Sequence, residues 1–79
     1  MKIKIYTASW CKPCKPYVAK AKMLIKDNTL EVIDVSNLSP DELERMHIRG
    51  VPVTIIEEDG EVIDRWVGNR ISKLEEYLI

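Results

Sequence analysis

Between Lys2 and Val35 the apolar residues change their spacing twice, and that change limits what the chain can fold into. Lys2-Ile3-Lys4-Ile5-Tyr6 alternates, the period of a strand with one buried face. From Cys11 to about Lys26 the pattern becomes helical. Cys14, Val18, Ala21 and Ile25 fall on one stripe with Tyr17 and Leu24 beside it, and Lys15, Lys22 and Lys26 lie opposite. Leu30-Glu31-Val32-Ile33-Asp34-Val35 then returns to a dense apolar run, as expected of a strand covered on both faces. Strand, helix and strand this close together form a βαβ unit, which makes the two strands parallel.

The remainder extends this unit. Ser39-Pro40-Asp41-Glu42 is a helix start in which Ser39 caps, Pro40 takes the first helical position and Glu42 closes a capping box. That helix is expected to end near His47, with Leu43 and Met46 facing inward and Gly50 as the left-handed residue after it. Val51 to Ile56 reads as a third strand with Pro52 near its start, where a missing donor is tolerated. Asp59-Gly60 marks a hairpin into a fourth strand, Glu61 to Val67. Gly68-Asn69 breaks it, and Asn69 is expected to cap a last helix carrying Ile71, Leu74, Tyr77 and Leu78 on one face. The predicted fold is α/β, in the order β-α-β-α-β-β-α. It is a mixed four-stranded sheet flanked by three helices, in a single domain over residues 1–79.

Within the first helix, Pro13 fits the first turn, whereas Pro16 falls late enough to kink it. A chain of 79 residues is near the lower limit for a single apolar core. Its net charge of −1 gives no overall pull toward nucleic acid or membrane, but the charge is unevenly placed. Residues 1–26 carry seven lysines and no acid (+7), and residues 27–79 carry all thirteen acids against five Lys and Arg (−8). No run is long and apolar enough to span a bilayer, and Met1-Lys2 leads into strand-like alternation rather than an apolar signal region. The expectation is a cytoplasmic monomer, where two cysteines serve catalysis or metal binding more readily than structure.

Those two cysteines sit in Trp10-Cys11-Lys12-Pro13-Cys14-Lys15, and two residues separate them. One helical turn brings such a pair within bonding reach. The thiolate is the working form of a cysteine, and an unperturbed thiol has a pKa of about 8.5. Cys11 at a helix start faces free N–H groups and the positive end of the dipole. Lys12 and Lys15 lie close by, and the Cys14 thiol can donate to the Cys11 sulfur. Cys14, one turn further in on the apolar stripe, is expected to be the more buried. Cys11 is therefore expected to attack a disulfide and Cys14 to resolve the mixed disulfide. Lys12-Pro13 would set loop geometry and redox poise, where about 30 mV corresponds to roughly 1.4 kcal/mol. Trp10 would offer a flat apolar surface to substrate and partly cover the sulfur.

Other readings of these residues are open at this level. A disulfide over so short a loop removes little chain entropy and makes a poor staple. Zinc takes four ligands, so a zinc site would need Cys11, Cys14, His47 and a carboxylate. His47 otherwise reads as a residue near a helix end without a catalytic role. The first-helix lysines read as a solvated face rather than a nucleic-acid patch, since no aromatic residues interleave them. Met23 and Met46 read as core-facing or boundary residues.

Trp-Cys-x-Pro-Cys-Lys after a strand, followed by Arg49-Gly50-Val51-Pro52, Asp59-Gly60-Glu61-Val62 and Trp66-Val67-Gly68, resembles the thioredoxin family over nearly the whole chain. The resemblance implies a thioredoxin-like fold, a redox-active Cys11–Cys14 disulfide and no bound cofactor. It also implies a cis Pro52 packed against the disulfide, with Val51 offering backbone groups to an extended substrate. In the family a buried aspartate precedes the nucleophile, and Ile5 stands at that place. Proton transfer from Cys14 is then expected to use water or another group. The chain opens at the strand leading into the cysteines, where a typical thioredoxin has a further strand and helix, so the resemblance implies an architecture nearer glutaredoxin. Gly50-Val51-Pro52 and Gly68-Asn69 stand where glutaredoxins usually have Thr-Val-Pro and a Gly-Gly pair for glutathione.

The implied activity is that of a small dithiol electron carrier, a protein-disulfide reductase. NADPH-dependent thioredoxin reductase would be its reductant, with disulfide-containing proteins such as ribonucleotide reductase as clients. A glutathione-dependent glutaredoxin and a non-redox binding module on the same fold are the alternatives.

Overall fold

The computed structural model describes residues 1–78. Its elements are β1 (Lys2–Thr7), α1 (Cys14–Leu24), β2 (Leu30–Asp34), a single 3₁₀ turn (Val35–Asn37), α2 (Pro40–Arg45), β3 (Val53–Glu58), β4 (Glu61–Val67) and α3 (Ile71–Glu76). The four strands form one sheet in the order β2-β1-β3-β4. β1 and β2 run parallel, as the βαβ pattern requires, and β3 is antiparallel to both β1 and β4.

Strand alternation divides the interior in two. Ile3, Ile5 and Ile56 point to one face, where α1 supplies Tyr17, Ala21 and Ile25 and α3 supplies Leu74. Ile71, Tyr77 and Leu78 pack against the same cluster, as the helical stripe predicts. Tyr6, Val53 and Ile55 point to the other face, beneath Ile48 and the partly buried Leu43 and Met46. Two helices thus cover one side of the sheet and α2 the other. β2, at the sheet edge, is half-buried, so its apolar density reflects side-chain cover without a second neighbouring strand.

Several local expectations shift. α1 begins at Cys14, three residues later than its periodicity suggests. Pro13 becomes the N-cap residue and Pro16 lies within the first turn, so no kink is required. The helix ends at Leu24, and Leu24 is exposed rather than packed. The capping box at Ser39 and Glu42 forms as predicted, but α2 stops at Arg45, and the left-handed residue after it is His47, not Gly50. Its carbonyl and that of Met46 accept the two arms of the Arg65 guanidinium at 2.6 and 2.5 Å. Two charge-assisted bonds from β4 therefore secure the end of α2. β3 starts at Val53, after a cis Val51–Pro52 bond. Asp59 and Gly60 both have positive φ, which fits the two-residue hairpin turn. Asn69 makes no cap: Arg70 takes the N-cap position of α3 without a side-chain bond.

Candidate active site

The topology gathers one end of every strand around the cysteines. Thr7 pairs with Asp34, Tyr6 with Val53, and Val53 with Val67, so the ends of β1, β2 and β4 and the start of β3 lie together. Residues 8–13 leave β1 at this end. The Cys11 N–H donates to the Ala8 carbonyl at 3.1 Å, which closes the loop tightly before α1.

Cys11 and Cys14 are joined as a disulfide with their Cα atoms 5.4 Å apart. The N–H of Cys14, the first residue of α1, donates to Cys11 Sγ at 3.2 Å. α1 has no side-chain cap, and the sulfur takes that place. That N–H and the positive end of the helix dipole both point at Cys11 Sγ. Cys14 is fully buried and Cys11 is 5% exposed. The expected ranking holds, but the difference is small and Cys11 is itself buried. Ala8, Val35, Val51 and the Cys14 sulfur pack around it in the oxidised form.

The second wall comes from the far half of the chain. Cys11 Sγ lies 3.7 Å from the Val51 carbonyl oxygen, 40 residues away in sequence. Pro52 is buried beside it, and its carbonyl accepts the Gly68 N–H at 2.9 Å, which ties the β4–α3 loop to the same wall. Trp10 is 72% exposed, so it does not sheathe the sulfur. It instead forms one side of an apolar depression of about 120 Å³, with Val35, Leu43, Ile48, Arg49, Gly50 and Val51. Lys12 and Pro13 stand exposed between the cysteines. Trp10, Cys11, Cys14, Val51 and Pro52 therefore lie next to one another at this end of the sheet. His47 is exposed, and no group of three His, Cys, Asp or Glu side chains among the described residues is placed to hold a metal ion.

Leu43, Ile48 and Arg49 also line the depression, although the sequence marked Leu43 only as an inward-facing helix residue and Arg49 only as part of a motif, and none of the three as a site residue. Their signal is weak because a short helix and an irregular loop carry no extended period. A buried polar chain was missed too. Tyr17 Oη lies 2.6 Å from Thr54 Oγ1 and accepts the Trp66 indole N–H at 3.2 Å. Ile5 pairs with Thr54, which pairs with Trp66, so Ile5 sits in the same sheet row as this chain, in the core.

The thioredoxin family profile matches residues 3–79. An H-type thioredoxin of Fagopyrum esculentum is 32% identical over 72 residues, 87% of this chain, and the chain spans 61% of that protein's length. Thioredoxin 1 of the thermophile Thermosipho africanus superposes with a TM-score of 0.77 at 29% identity, over 99% of this chain and 94% of that one. The reduced thioredoxin pre-protein of Schistosoma mansoni gives 0.84 at 28% identity, over 96% and 73%. Sheet order, cis-proline and the paired cysteines at the head of α1 agree with these likenesses, and the chain belongs to the thioredoxin family.

Proposed function

We propose that the protein reduces disulfides in other proteins by dithiol exchange, with Cys11 as nucleophile and Cys14 as the resolving thiol. One observation carries the reading: the sulfur of Cys11 receives the first N–H of α1 while Cys14 lies fully buried behind it. In the reduced protein the Cys11 thiolate attacks one sulfur of a client disulfide. The client's other sulfur leaves as a thiolate and takes a proton from solvent. Cys14 then loses its proton, attacks Cys11 Sγ and releases the second client thiolate. Two electrons have passed to the client, and the Cys11–Cys14 disulfide is restored. Val51 and cis Pro52 form the wall along which an extended client segment lies, with Trp10, Lys12 and Pro13 opposite. The pair itself is the redox group, so the reaction uses no bound cofactor.

The family points to a flavin-dependent thioredoxin reductase, drawing on NADPH, as electron donor. Gly50 and Asn69, standing at glutaredoxin glutathione positions, support that route over glutathione. We place the protein in the cytoplasm as a monomer, with disulfide-containing proteins such as ribonucleotide reductase among its clients. Two parallel reactions test the assignment, one with NADPH and thioredoxin reductase, the other with glutathione and its reductase. Only the first should sustain reduction of a protein disulfide. Cys11→Ser should abolish turnover, and Cys14→Ser should trap a mixed disulfide visible by mass. Full activity of both variants would falsify the dithiol mechanism.

A further inference from the structure

The four segments at the cysteine end of the sheet are residues 8–13, 35–39, 46–52 and 68–70. The chain has thirteen acids, and none falls in these segments. They carry Lys12, Arg49 and Arg70, and Lys15 follows in the first turn of α1. All four side chains are exposed, and none has an ion-pair partner among the described residues. Arg49 lines the apolar depression next to Val51, Arg70 follows the Gly68 that is tied to Pro52, and Lys12 lies between the two cysteines. Asp34 closes β2 at this end, but its carboxylate accepts the Ser36 N–H. α2 adds Glu42, whose carboxylate closes the capping box, and Asp41 and Glu44, which share a separate depression with Arg45. The opposite end of the sheet carries Glu57, Glu58, Asp59 and Glu61. That end also carries Lys2 and Lys4, which pair with Glu31 and Glu57, so the cysteine end is set apart by cations that have no such partners, although the net charge is only −1.

Resting on the disulfide-reductase reading, we propose that this cationic rim selects clients whose disulfide is flanked by acidic residues. Unpaired cations around a narrow reactive spot raise the encounter rate with anionic surfaces and disfavour cationic ones, by factors of about 10 to 1,000 at low salt. The chemistry of exchange is unaltered; the rim sets which disulfide arrives and in which orientation. Arg49 is the specificity residue closest to the bound segment, because it borders the apolar depression.

The test uses three disulfide-bonded peptides with the same apolar core and flanks of Glu, Ser or Lys. Their reduction by the Cys11–Cys14 dithiol is followed at ionic strengths from about 0.01 to 1 M, over which the screening length falls from about 30 to 3 Å. The Glu peptide should react about tenfold or more faster than the Lys peptide at low salt, and the two rates should converge at high salt. In Arg49→Glu/Arg70→Glu the Glu-to-Lys rate ratio should invert. Lys22→Glu/Lys26→Glu makes the same change in net charge at and just beyond the far end of α1, and there the ratio should stay above one. Equal rates for all three peptides, or the same inversion in both double variants, overturn the proposal while the reductase reading stands. Failure to reduce even the Ser peptide removes that reading and the rim's role together.

Discussion

The Tyr17 hydroxyl stands between Thr54 Oγ1 and the Trp66 indole, and all three residues are buried. Removing it leaves two buried polar groups with one partner fewer, which costs more than the loss of an average hydrogen bond. Tyr17→Phe should lower unfolding stability by about 1–3 kcal/mol with an unchanged urea slope, measured by denaturant titration. A change within a few tenths of a kcal/mol would show that Thr54 and Trp66 satisfy one another without it. At this scale the cysteines were readable because two of them, two residues apart beside Trp10 and Lys12, carry their chemistry locally. Tyr17 was readable only as part of the apolar stripe. Its hydroxyl partners lie 37 and 49 residues away, on strands whose register no local pattern sets. The burial of Cys11 was hidden for the same reason, since Val51 comes from beyond α2.

Between elements, β4 and α3 are joined by Asp64, whose carboxylate accepts the Tyr77 hydroxyl and pairs with Lys73 at 3.5 Å. Tyr77 also stacks on Trp66 with ring centroids 6.0 Å apart, and Lys73 lies over that indole. The Tyr77 bond, followed by the Arg65 N–H, holds the Asp64 carboxyl below its ordinary value, and the same bond raises the Tyr77 hydroxyl. A depressed carboxyl contributes stability that is whole above its unfolded pKa, about 3.9, and is lost as pH falls through its folded one. A raised tyrosine contributes below its unfolded pKa, about 10, and loses that contribution as pH rises through its folded one. Asp64→Asn should therefore lower the thermal midpoint by a constant amount from about pH 5 to 9, with the gap closing below pH 4. A gap that persists unchanged at pH 2 would assign it to packing instead of charge. The elements themselves were largely legible. β4 was placed to the residue by Asp59-Gly60 and Gly68, and the start of α2 by its capping box. The start of α1 was misplaced because apolar spacing continues through Cys11, while the loop is closed by the Ala8 carbonyl, which leaves no mark on side-chain pattern. The clamp of Arg65 on α2 has no sequence signal at all.

For the whole molecule, the four-stranded sheet leaves β2 and β4 as edges. β4 carries exposed Val62, Ile63 and Val67, which would make a flat edge adhesive. Its register shifts between Ile56 and Glu57: Asp64 pairs with Ile56 and Val62 with Glu57, so Ile63 is an extra residue. Such a bulge twists an edge away from pairing. Deleting Ile63 should straighten β4 and produce concentration-dependent self-association, followed by sedimentation or light scattering; a variant that sediments like the parent would exclude this role. The overall architecture was legible because the switches of hydrophobic period are long-range information written locally. The bulge was not, since it exists only in the relation of two strands. The hydrogen bond that faces Cys11 Sγ has a different kind of consequence. Its donor is a main-chain amide, the N–H of Cys14, which every residue except proline supplies. Substitutions can therefore rewrite Lys12, Arg49 and Arg70, and with them the clients, while the amide stays in place. A lineage built on this fold can change partners without surrendering its reactivity, because recognition is carried by side chains open to drift and the sulfur's support by the peptide backbone.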